Sequence, residues 1–195
     1  MTPADVAEIQ TWLLQARHAD DGGASLMMGL VELMRARGLP LWRVSFILIT
    51  KHPELVWRTV QWSEPTGVKT LDRARDTLDQ PFFTRSPIAL LRAGGPPIRV
   101  RLATEAQRFP ICEDLQAQGG TEYFAQGLPC STGEICYISW ATRAPAGFSD
   151  DDIAALTGLT PYLAQRIELA SAYHATRVLL EVYLEIGRAS CRERV

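Results

Sequence analysis

The chain has 195 residues, of which 47% are hydrophobic and 22% are charged. These fractions match the averages of globular domains, about 45–50% apolar and about 25% charged, and they exclude intrinsic disorder. The formal net charge of -2 excludes the strongly basic surface with which nucleic-acid binders neutralise phosphates. We therefore expect one folded domain with no nucleic-acid partner.

The N-terminus and the cysteines predict the compartment. No basic segment followed by an apolar run opens the chain, and no stretch approaches about 18 uninterrupted apolar residues. Neither a signal peptide nor a membrane span is predicted, and we expect a cytoplasmic protein. The cysteines fit neither a CxxC pair nor a disulfide framework, so they are predicted to be thiols. They are Cys112, Cys130, Cys136 and Cys191.

Residues 1–40 are predicted to form two N-terminal helices. In the first, Thr2 is a capping residue, Pro3 suits the first helical position and Asp5 faces the positive end of the helix dipole. The second is predicted over residues 25–37. It ends at a glycine followed by a proline, as helices commonly do.

Residues 41–148 are predicted to form an antiparallel sheet and its loops. The β-branched and aromatic segments, or the alternating ones, give about five strands. They cover residues 44–50, 55–62, 98–102, 121–128 and 134–142. The first two form a hairpin around residues 51–54, a short helix covers 111–118, and the Pro- and Gly-rich residues 64–97 are predicted to be a long irregular loop. The fold class is therefore α+β.

Residues 149–184 are predicted to form a long C-terminal helix. Ser149 and Asp152 have the spacing of a capping box, and Pro161 is expected to kink the helix or split it in two. A helix of this length spans about 50 Å, more than one small domain can cover. We therefore predict a homodimer through this signalling helix. The side chains expected to contact the second copy are Leu163, Ile167, Leu179 and Val182.

The residues that could carry chemistry are few. No Gly-rich loop has phosphate-binding spacing and no His or Cys pair has metal-ligand spacing, so we expect no catalytic residue, no metal and no cofactor in this chain. The three histidines, His18, His52 and His174, are interpreted as solvated or satisfied residues. Aromatic residues on the strands are first of all core residues, and some are weak candidates for the lining of a small-molecule pocket. These candidates are Trp57, Phe124, Tyr137 and Trp140.

A series of short motifs is spread along most of the chain. Its residues are Gly38-Leu39-Pro40 with Trp42-Arg43, His52-Pro53, Trp57, Ser86-Pro87, Arg99 to Leu102, Phe109-Pro110 with Asp114-Leu115, Gly120 to Tyr123, Ser139 to Thr142, Pro145 to Asp150, Pro161 to Ala164, and Leu179 to Leu184. In layout the chain resembles a GAF-like sensor domain. In these motifs it resembles the N-terminal regulatory region that precedes the catalytic domain in a group of bacterial class III adenylate/guanylate cyclases.

The resemblance implies a signal-input domain that controls an adjoining cyclase through its C-terminal helix. The metal-binding Asp-Leu-Arg-Gly-Phe-Thr-like stretch of the catalytic domain has no counterpart here, so the resemblance implies no enzymatic activity for this chain. It ends at Leu184, and residues 185–195, which lose the apolar period, are interpreted as a non-native tail.

Two other functions stay open at this stage. The first is a thiol-based redox enzyme on a GAF-like fold, with Cys112, Cys130 and Cys136 as the candidate thiols; a redox-active thiol needs a lowered pKa, and no basic residue is adjacent to any of the three in the sequence. The second is the small-molecule-binding domain of a transcription regulator, for which a helix-turn-helix would have to follow.

Overall fold

The computed structural model describes residues 1–16, 21–49, 55–74, 78–104 and 109–192. The strands found in this part of the chain are β1 (Arg43–Ile49), β2 (Leu55–Ser63), β3 (Gly67–Ala74), β4 (Ile98–Arg101), β5 (Glu122–Pro129) and β6 (Ile135–Thr142). The helices are α1 (Pro3–Gln15), α2 (Ala24–Ala36), α3 (Pro81–Thr84), α4 (Pro87–Arg92), α5 (Pro110–Ala117), α6 (Asp150–Gly158) and α7 (Thr160–Arg192). The predicted α+β class is confirmed.

All strands join one sheet in the order β3-β2-β1-β6-β5-β4, and every neighbouring pair is antiparallel. The five predicted strands are confirmed, and so is the β1-β2 hairpin, although its predicted turn lies outside the described residues. One strand, β3, was predicted to be loop. β3 lies at the edge of the sheet, and its exposed Lys69, Asp72 and Arg73 interrupt the apolar alternation by which a strand is identified in a sequence. Charged residues on an edge strand also disfavour pairing with another chain.

The N-terminal helices and the C-terminal helices cover one face of the sheet. Thr2 caps α1 as predicted, and with Asp5 it forms a capping box that was not predicted, since the Asp5 N–H donates to Thr2 Oγ1 and the Thr2 N–H donates to Asp5 Oδ2. Ile9 and Leu13 then face the core without exposure. The opposite face of the sheet carries a second apolar cluster, so the two faces have separate cores.

The C-terminal helix is split, as one of the two predicted outcomes for Pro161. Ser149 and Asp152 cap α6, which ends at Gly158, and Pro161 lies in the first turn of α7, where proline is tolerated. The backbone of α7 continues past Leu184 to Arg192. The helix was predicted to end at Leu184, because the apolar period stops there.

The first turns of α7 pack onto the domain itself. Leu163 and Ile167 are both fully buried in the core beneath the helices. The prediction that these two side chains contact a second copy is wrong, because side chains that fill the core of their own chain are not available to a partner. Periodicity identified an apolar face without indicating what covers it.

A charged cluster fastens the start of α6 to the sheet. Glu122 of β5 is fully buried, and its Oε1 accepts a hydrogen bond from Arg99 Nε of β4 at 2.5 Å. Its Oε2 accepts from the Phe148 N–H at 2.6 Å. Arg99 also donates to the Phe148 carbonyl and to Asp150 Oδ1, each at 2.6 Å. Gly147 passes so close that an added Cβ would lie 2.0 Å from Glu122 Oε2. We call these residues the Glu122 clamp.

Candidate ligand-binding pocket

A cavity of about 360 Å³ lies on the face of the sheet away from α1, α2 and α7. Its floor consists of strand residues, and α3, α4 and α5 supply residues to its walls. This volume is at the small end of the range of about 300–1,000 Å³ that is typical of ligand pockets. The cavity is therefore large enough for a small organic molecule.

Small polar residues form the middle of the floor. Ser45 of β1 lies opposite Gln61 of β2 on one side and opposite Ser139 of β6 on the other. All three line the cavity. Since side chains alternate between the faces of a strand, the residues on either side of Ser45 point into the helix-side core. The short serine side chains leave the space that larger residues would fill.

Arg43 lies at the end of this polar row. Its Nη2 donates a hydrogen bond to Gln61 Oε1 at 2.7 Å. Burial lowers the pKa of the Arg43 guanidinium, but an arginine side chain keeps its charge in proteins. No carboxylate among the described residues lies within 4.0 Å of it. Its hydrogen-bond partner is thus a neutral amide, while the Asp114 carboxylate of the same cavity attracts the guanidinium electrostatically without forming an ion pair.

Tyr123 adds a neutral hydroxyl to the floor. Burial raises the pKa of this phenol well above its usual value, and its hydroxyl hydrogen-bonds with Ser139. The group is therefore protonated at every physiological pH. A protonated phenol both donates and accepts hydrogen bonds, as the serine hydroxyls do.

Apolar and aromatic residues form the wall. The rings of Trp57 and Phe83 lie 4.8 Å apart between centroids and are tilted by 44°. The Arg73 guanidinium lies 5.5 Å from the centre of the Phe82 ring. Branched side chains complete the wall, namely Ile47, Leu71, Ile88, Ile111 and Leu115. Such a wall suits a flat or branched apolar group.

The four aromatic residues that were candidates for a pocket do not lie together. Trp57 lines the cavity. Trp140 borders it, although its ring packs in the helix-side core, where Phe124 also lies. Tyr137 faces the cavity side of the sheet but lies outside the lining. The pocket role is corrected for Phe124 and Tyr137.

The sequence analysis did not predict the polar floor, because residues 44–50 were assigned to a strand from their β-branched and aromatic residues without regard to the polar positions among them. Arg43, Ser45 and Ile47 occupy alternate positions between Val44, Phe46 and Leu48, and this alternation was the available signal.

The structure brings two of the three candidate thiols together. Cys130 Sγ lies 3.5 Å from Cys136 Sγ at the end of the β5-β6 hairpin. Cys112 belongs to the cluster on the opposite face of the sheet. Ser131, next to Cys130, donates from its N–H and its hydroxyl to the Glu168 carboxylate of α7, at 2.8 and 2.7 Å.

Of the histidines and the last two predicted dimer residues, those whose side chains are described lie apart from the cavity. His174 contacts the Arg58 side chain through Nε2, whereas His18 and His52 lie outside the described residues. Leu179 is 58% exposed on α7; Val182 lies on the same helix, in a part whose side chains are not described. Within the described ranges no group of three or more His, Cys, Asp or Glu could hold a metal ion, and no helix is both long and apolar enough to cross a membrane.

Comparisons with known proteins give the fold. No family model and no curated protein matches the chain. Among solved structures, the GAF domain of a phosphoenolpyruvate-protein phosphotransferase from Coxiella burnetii is 14% identical, with a TM-score of 0.58 over 88% of this chain and 95% of the other. The phycocyanobilin-bound GAF domain of a cyanobacterial phytochrome is 16% identical, with a TM-score of 0.57 over 88% and 96%.

A GAF sensor protein from Burkholderia vietnamiensis is 12% identical, with a TM-score of 0.55 over 87% of this chain and 94% of the other. The chain therefore has the GAF fold, which confirms the GAF-like layout inferred from the sequence. In the residues that the structure describes, the sheet has six strands where about five were predicted.

Proposed function

We propose that this chain is a signal-input domain, which binds a small molecule in the cavity and passes the change outward through α7. The observation that carries the proposal is the combination of a polar-floored cavity on one face of the sheet with a long helix on the other. A ligand shifts the arrangement of the domain only if it binds the two arrangements with different affinity.

Polar contacts supply a route from the sheet to α7. Strand β2 presents Trp57 to the cavity and Arg58 to the opposite face. Arg58 forms a bidentate ion pair with Asp72 of β3, at 2.6 and 2.7 Å, and also contacts His174 of α7. A ligand that shifts β2 therefore acts directly on a contact of α7. The Ser131–Glu168 bonds form a second link, from the β5-β6 turn.

The exposed face of α7 supports pairing with a second copy. Leu169, Tyr173 and Leu180 are 38%, 52% and 57% exposed, and Thr176 between them is exposed as well. Their spacing of four, three and four residues is that of a coiled-coil seam. Leu179, which the sequence pattern assigned to the contact with a second copy, is 58% exposed and falls outside this spacing, so we now propose that it lies beside the pairing face. The name α7 stripe refers to Leu169, Tyr173, Thr176 and Leu180 and does not include Leu179.

The dimer is tested with two neighbouring leucines of nearly equal exposure. A Leu180→Glu variant is expected to be monomeric in sedimentation equilibrium over a range of concentrations, because it places a charge inside the seam. A Leu179→Glu variant is the matched control and is expected to remain a dimer. A monomeric unsubstituted chain, or the same behaviour from both variants, would contradict the pairing.

The partner proposed for α7 is an adjoining class III nucleotidyl cyclase, on the strength of the motif order described above. The resemblance implies an active site formed between two catalytic domains, so the geometry of two paired α7 helices would set the rate. The test joins this chain in frame ahead of a class III catalytic domain. Leu180→Glu is expected to lower cyclic-nucleotide synthesis and Leu179→Glu to leave it unchanged; equal rates in all three proteins would argue against cyclase control.

A second candidate function is thiol-based redox chemistry, which the 3.5 Å separation of Cys130 and Cys136 favours. The test is reduction of free methionine sulfoxide by the chain and by its Cys130→Ser and Cys136→Ser variants. Turnover that either substitution removes would support this function, and an inactive unsubstituted chain would end it.

A further inference from the structure

We infer that the ligand of the cavity is a small organic monoanion, a carboxylate on an aromatic or branched apolar body, whose charge is bound by Arg43. This inference rests on the proposed function, because it assumes that the cavity is a ligand site. It adds the chemical class of the ligand.

The first step is the unmatched charge of Arg43. Four other arginines, Arg35, Arg37, Arg58 and Arg99, each form an ion pair with an aspartate or glutamate. Arg43 instead donates to neutral Gln61. Arg43 is half-buried, and no carboxylate among the described residues lies within ion-pair distance of it, so an anion from outside the chain would compensate for the hydration that the guanidinium has lost.

The second step is the set of polar groups around Arg43. The Gln61 oxygen is used by Arg43, so the amide NH2 of Gln61 is free to donate. Hydroxyls of Ser45, Ser139 and Tyr123 share the floor. The guanidinium fork presents parallel N–H groups that match the two oxygens of a carboxylate. The floor is therefore richer in donors than a neutral ligand requires.

The third step is the charge balance of the whole cavity. Among the lining residues, Arg73 is a second cation and Asp114 an anion, and both are exposed at the rim. The sum is one positive charge, and Arg43, which is half-buried, is the least exposed of the three groups. A phosphate monoester carries nearly two negative charges at neutral pH, which a single net positive charge does not balance. The balance favours a monoanion.

The fourth step is the shape of the remaining space. Trp57 and Phe83 form a tilted aromatic wall, and Ile88 and Leu115 lie beside it. Apolar surface of this kind gains free energy when it covers an apolar group of the ligand. The volume of about 360 Å³ is enough for a ring system of one or two rings.

The experiment compares 1-naphthoate, its neutral isostere 1-naphthamide, and 1-naphthyl phosphate by calorimetry and by quenching of tryptophan fluorescence. Naphthoate is expected to bind at least about tenfold more tightly than the amide, as a charge-assisted bidentate contact predicts, and more tightly than the phosphate. Arg43→Gln is expected to remove the preference for the acid, and Arg43→Lys, which keeps the charge but loses the fork, to retain part of it. Asp114→Asn, which removes the rim anion, is expected to strengthen binding of naphthoate.

Equal or tighter binding of the amide, or an acid preference that survives Arg43→Gln in a variant with an unchanged circular dichroism spectrum, would overturn the anionic class while leaving the cavity as a ligand site. Tighter binding of the phosphate would replace the carboxylate by a dianion. Absence of binding by every probe at about 10 mM would overturn the inference. The Leu180→Glu experiment then decides independently whether the signal-input function also fails.

Discussion

Two arginines on neighbouring regions of the sheet have opposite surroundings. Arg99 donates to Glu122, to Asp150 and to the Phe148 carbonyl, and the hydrogen bond to Glu122 raises the pKa of its guanidinium. Arg43 has one hydrogen bond to an amide, and burial lowers its pKa. The difference separates two uses of charge. At the Glu122 clamp the described partners of the arginine all come from the chain, whereas at the cavity the partner that we propose for Arg43 is a ligand.

The largest expected effect is the loss of the arginine at the clamp. Arg99→Gln leaves the fully buried Glu122 carboxylate without its cation, and removing one partner of a buried pair costs about 3–5 kcal/mol. The measurement is the free energy of unfolding in urea. Asp150→Asn is the control, since Asp150 is 93% exposed and bonds the same guanidinium, so little change is expected. A mild effect of Arg99→Gln would show that the clamp does not hold the domain together.

An intermediate effect is expected at Gly147, where the clamp meets the backbone. Gly147 has φ 73°, and an added Cβ would meet Glu122 Oε2. Gly147→Ala is therefore expected to cost at least about 2 kcal/mol, the left-handed backbone contributing about 1–2 kcal/mol of it. Gly133→Ala is the matched control, with φ 82° and nothing within 4 Å of the added Cβ. Equal losses in the two variants would mean that Glu122 moves aside without cost.

The smallest change in stability is expected at the cavity. Arg43→Gln is expected to alter the free energy of unfolding by less than about 1 kcal/mol, because it removes a desolvated cation together with a single hydrogen bond. Urea unfolding of this variant beside Arg99→Gln compares the same substitution in the two regions. A loss as large as that of Arg99→Gln would make Arg43 a structural residue and would weaken its assignment to a ligand.

Local signals in the sequence predicted much of the fold. Both capping boxes, at Thr2 and Ser149, depend on residues three positions apart, so they are visible without tertiary structure. β3 was missed because an edge strand exposed to water needs no apolar pattern. Leu163 and Ile167 were assigned to a contact with a second copy, because the apolar periodicity of α7 does not show which surface covers these side chains. In the structure that surface is the core of their own chain.

The candidate site was less predictable, because it depends on register. Ser45 and Ser139 are 94 positions apart in the chain and become neighbours only when β1 pairs with β6. Arg43 is unremarkable in the sequence. Its assignment follows from the cavity beside it and from the lack of a carboxylate within 4.0 Å in the described part of the structure, and both are visible only in three dimensions.

Because the C-terminal helix is interrupted at Leu159, α7 is a separate helix that is anchored to the domain at its N-terminal end. Its base is held by buried contacts up to Ala170, and its backbone runs on to Arg192. The part of α7 from Ala170 to Arg192, along which His174 contacts Arg58, measures about 30 Å at 1.5 Å per residue, so a tilt of about 5° at the base moves the far end by about 3 Å. Under the proposed signalling function, displacements within the sheet that are too small to disturb the packing of the core become larger ones at the end of this helix.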